Sequence, residues 1–101
     1  MTDQTESIQE IFEKRMVLVG EMSRLNAEQL LNTQKLSGNQ IDLLRCTDGV
    51  RDNGDDDGLR DELAEAEARD ALLKSKIADC NDRLQALEEQ VAALDRKLEK
   101  L

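Results

Sequence analysis

LRDELAEAEARDALLKSKIADCNDRLQALEEQVAALDRKLEKL, residues Leu59–Leu101, carries a sustained heptad pattern. Its apolar positions run Leu59, Leu63, Ala66, Leu73, Ile77, Cys80, Leu84, Leu87, Val91, Leu94, Leu98 and Leu101, and one charge, Asp70, stands in the series. The steps alternate four and three without a slip, the 3.5-residue period of a coiled coil. No proline occurs in the chain and no glycine follows Gly58. The segment is therefore expected to be one long helix, residues 59–101, whose stripe must be covered by another helix.

A second helix is expected over residues 8–46. Ser7 and Glu10 have capping-box spacing, and the apolar pattern starts at once with Ile8, Ile11, Leu18, Met22, Leu25, Leu36, Leu43 and Cys46. Phe12 and Val19 widen this face, and Met16-Val17-Leu18-Val19 thickens it, which suits contacts on more than one side. Residues 1–7 read as a frayed leader. Gln29, Asn32 and Asn39 then occupy seam positions. The expectation there is a solvated stretch; the alternative is a hydrogen-bonded polar layer that fixes register. Ser37-Gly38-Asn39-Gln40 repeats the capping spacing around a glycine, so a kink near residues 37–39 is as expected as a continuous helix.

Between the helices, residues 47–58 hold three glycines, five aspartates and one asparagine, and read as an acidic loop. A hairpin about this loop pairs residues whose numbers add to about 105, and matches strong layers with strong and weak with weak. In a parallel pairing of Leu59–Leu101 with itself, Glu62 would meet Glu67 and Arg69 would meet Lys74, both repulsive, and only Arg83 with Glu88 attracts. The fold class expected is all-α: an antiparallel helical hairpin or coiled coil of two long helices, assembled into an oligomeric bundle.

Composition narrows the functions. Charged residues make up 37% of the 101 positions and aromatics 1%, with Phe12 the sole aromatic, so a compact pocket-bearing core is not expected. At this length the chain is expected to form one small domain. The net charge of −9 disfavours binding to nucleic acid or to an anionic membrane surface. No apolar run approaches the ~20 residues of a membrane span, so no membrane insertion is expected. Cys46 and Cys80 are too few and too far apart for a disulfide scaffold or zinc site, and a cytoplasmic, reducing location is expected. The chain has no histidine to activate a nucleophile and no phosphate-loop spacing, so no enzyme activity and no cofactor are expected.

Asn53-Gly54-Asp55-Asp56-Asp57-Gly58 resembles the start of an EF-hand-type calcium loop, with Asp61 at the ninth position. The resemblance implies Asn53, Asp55, Asp57 and Asp61 as oxygen ligands. It stops at the twelfth position, where Ala64 stands in place of a bidentate glutamate. A solvated turn is the expectation, and metal is none. Asp70 is expected to lean outward and pair with Lys74, or else to select register.

The function expected is that of a non-enzymatic coiled-coil interaction protein, a structural or adaptor subunit of a homo- or hetero-oligomer. Its partners would be itself or helices of another protein. The seam expected to carry the interaction is Ile8, Ile11, Phe12, Leu18 and Met22 with Leu84, Leu87, Val91, Leu94 and Leu98. Two alternatives are a chaperone or adaptor covering a partner's amphipathic helix, and a calcium-responsive switch through residues 53–61.

Overall fold

The computed structural model describes residues 6–101. The first five positions of the expected leader lie outside the described residues. Two long helices account for nearly everything else: α1, Ile8–Asp52, and α2, Asp57–Glu99, with no strand among the described residues. The protein is an all-α antiparallel hairpin.

Ser7 starts α1 with the expected capping box. Its hydroxyl accepts the Glu10 amide at 3.1 Å, and its backbone amide donates back to Glu10 Oε1 at 3.4 Å, as does its hydroxyl at 3.0 Å. The helix then runs through Gly38 without a break, so the second capping spacing at Ser37 is not used. Both Gly20 and Gly38 sit on open surface where an added Cβ would meet nothing within 4 Å. Neither glycine is required by the packing of this chain. Gly20→Ala is accordingly expected to stabilise the fold by about 0.5–1 kcal/mol through helix propensity, measurable as a shift in the urea midpoint.

The connection is shorter than the composition of residues 47–58 suggested. Helix α1 continues to Asp52, because Val50 extends the inward stripe of Leu43 and Cys46 by one more step. An added Cβ on Gly49 would only touch the Leu59 side chain, at 3.5 Å, and the Asn53 amide still bonds back to Gly49 O at 2.8 Å. Arg51 lies in the last turn, where a cation complements the helix dipole. The chain reverses over residues 53–56. Asp56 then caps α2, its carboxylate accepting the Leu59 amide at 3.2 Å. Helix α2 consequently begins two residues before Leu59 and ends at Glu99.

The hairpin divides into two compact units. One contains the chain up to Glu28 together with Cys80–Leu101, and the other is Gln29–Asp79. In the first, Leu25, Cys80 and Leu84 form a buried cluster flanked by Met22 and Leu87. The Cys80 thiol donates to Leu25 O at 3.4 Å. In the second, Asn32, Asn39, Cys46 and Ala66 are buried, and Asn39 stands against Ala66. Leu25 with Cys80 and Asn39 with Ala66 both follow the hairpin register expected from the sequence.

Candidate functional site

The α2 seam is built as its spacing implies. Leu84 and Leu94 are buried, and Leu87, Val91 and Leu98 half-buried. On α1, Ile11 is buried and Leu18 and Met22 half-buried, but Ile8 and Phe12 are exposed. Those two do not belong to the intrachain seam. Phe12 follows Ile11 by one residue, which turns it about 100° around the helix and away from α2.

Gln29 and Asn39 are not solvated but hydrogen-bonded across the seam, and Asn32 is buried with them. Within Gln29–Asp79, the Asn39 side-chain amide donates to Ala66 O at 2.8 Å, and its carbonyl accepts from Arg69 Nε at 2.9 Å. Gln29 Nε2 donates to Ile77 O at 2.9 Å. Each amide reaches a backbone carbonyl of α2, so each is satisfied only in one register. Asp70 pairs with Lys74 at 2.8 Å as expected, but its side chain stays largely in the seam, 16% exposed, and does not lean outward.

In the other unit, charges rather than amides bridge the helices. Arg15 Nε donates to Asp95 Oδ1 at 2.7 Å, and Arg83 lies 3.5 Å from Glu21. Hydrogen bonds from Arg24, then the charges of Arg24 and Arg83, lower the Glu21 carboxyl. Glu6 binds Lys14 of α1 and Lys97 of α2 at once, and these hydrogen bonds lower its pKa from 4.5 to about 2. A depressed carboxylate contributes stability above its unfolded-state pKa and loses it as pH falls through the folded value. Acid unfolding of the wild type is therefore expected to show a small added loss between pH 4.5 and about 2 that Glu6→Gln lacks.

The calcium-like residues do not converge. Asn53, Asp55, Asp57 and Asp61 are all exposed, with Asp57 and Asp61 already inside the first turns of α2. Among the described residues, no group of three or more His, Cys, Asp or Glu side chains is placed to hold a metal. Neither helix is long and apolar enough to cross a membrane.

The feature the periodicity did not isolate lies on the outside of α1. Met16, Val17, Leu30, Leu31, Ile41 and Leu44 are all exposed, whereas α2 exposes only Leu72 among its large apolar side chains. Within Gln29–Asp79, residues 30, 31, 34, 37, 38, 41 and 44 recur at steps of three, four and one, which places them on one helical face. That face lies opposite the inward positions Asn32, Asn39 and Cys46. Compared with protein-family models, curated protein sequences and solved structures, the chain matches none of them.

Proposed function

We propose that this protein is a non-enzymatic coiled-coil interaction protein: a hairpin subunit that assembles through the outer face of α1. The observation that carries this reading is the unequal use of the two helices. Helix α2 spends its large apolar side chains on the seam, while α1 also turns several outward. Isolated exposed leucines need no explanation, but a periodic apolar face is a surface that gains by being covered. The buried amides support the same reading, because they hold α1 in one register and so keep its outer face constant.

Light scattering on the full chain across a wide concentration range tests this. The reading expects a mass that rises above the 11.4 kDa of a single chain as concentration increases. A mass that stays at the single-chain value throughout contradicts it.

A further inference from the structure

We infer that the occupant of this face in the Gln29–Asp79 unit is a second copy of the same chain, packed α1 on α1 antiparallel about a two-fold axis at Ser37–Gly38. This rests on the assembly reading above and names its surface and partner. The layout is self-complementary. Two small residues, Ser37 and Gly38, lie at the centre, with Leu30 and Leu31 on the N-terminal side and Ile41 and Leu44 on the C-terminal side. Turning the helix over about that centre sets Ile41 against the partner copy's Gln34 and Leu44 beside its Leu30, with Leu31 next to its Arg45. A two-fold interface requires this kind of match, because one patch must serve both partners.

Three observations favour a second copy over a different protein. The four apolar side chains are 60%, 55%, 66% and 68% exposed, in chain order. Covering them and their small neighbours in two copies removes on the order of 1,000 Å², the lower limit for a specific interface. The edges are complementary as well. On one edge Lys35 of each copy falls within a turn of Asp42 of the other, which also pairs with Arg45 of its own helix, so that opposite charges meet twice; on the other edge Thr33 and Gln40 meet without charge. A parallel pairing would set Lys35 and Asp42 against those uncharged residues instead. Finally, Gly38 has open space around it and fills no need of its own hairpin. A glycine inside a helix weakens it, and close approach of a second backbone is a use that accounts for the residue.

Sedimentation equilibrium on the full chain tests the surface. Wild type is expected to be a reversible dimer. Ile41→Asp should weaken it by about 100-fold or more while helicity is retained, since the side chain is outside the seam. Leu72→Asp, on α2, should leave the dissociation constant within about 2-fold. Lys35→Glu should weaken association several-fold, and adding Asp42→Lys to it should restore the wild-type value. A dimer that tolerates Ile41→Asp overturns this surface and leaves the assembly reading standing. A double charge swap no better than Lys35→Glu alone overturns the antiparallel register. A wild-type chain that is monomeric throughout overturns both the surface and the assembly reading.

Discussion

Leu25→Ala is expected to cost about 2–5 kcal/mol, the largest loss of any single truncation in the seam. Leu25 is 0% exposed and packs in the cluster with Cys80 and Leu84, closed by Met22 and Leu87. Two helices alone give such a cluster little material with which to refill a void, so most of the cavity should persist. The same truncation at Met16, on the outside of α1, should change unfolding by less than about 0.5 kcal/mol when the chain is dilute. Urea unfolding at one fixed, low protein concentration makes the comparison, because association would add its own stabilisation. Equal costs at the two sites would mean that the inward and outward faces of α1 are misassigned.

Asn39→Ala carries the second-largest expected effect, about 1–3 kcal/mol. Asn39 is 5% exposed, donates to Ala66 O and accepts from Arg69, so its loss deprives two groups at once. Arg69→Ala should cost less, because Arg69 is exposed and can turn to water. The two substitutions together should cost less than the sum of the singles, with a coupling of about 0.5–3 kcal/mol. Strict additivity in that cycle would show that Arg69 and Asn39 act independently. Asn39→Leu is the informative companion. It should restore or raise stability while loosening register, since an apolar layer no longer demands one alignment.

The hairpin was legible from α2 because a heptad stripe with one charged interruption admits one reading. Asp70 did not disrupt it, since Lys74 one turn on takes up the charge. The connection is shorter than its composition implies. Glycine and aspartate are turn-formers by propensity, but residues 47–52 stay helical because Val50 continues the inward stripe and Arg51 pairs with Asp48 along the helix. The sequence leaves the amides at Gln29 and Asn39 between a solvated stretch and a bonded layer, because a polar side chain at a seam position does not announce whether a carbonyl lies opposite. Only the register supplies that information. The outer face of α1 was half visible, in the thickness of Met16–Val19 and in Phe12. Leu30, Leu31, Ile41 and Leu44 do not stand out in the sequence, because beside one seam stripe a second stripe resembles scatter. At Gly38 the sequence admits a kink and a continuous helix equally; the helix runs through, with open space at that residue.

The central claim is that α1 works on both sides, its inner face closing the hairpin and its outer face receiving a second copy. Hydroxyl-radical footprinting of the full chain, at concentrations below and above the onset of association, reads this residue by residue. The account predicts that Leu30, Leu31, Ile41 and Leu44 become protected on association while Leu72 stays reactive and Leu25 is protected at both concentrations. Unchanged reactivity at those four leucine and isoleucine positions, in a sample whose mass has risen, would contradict it.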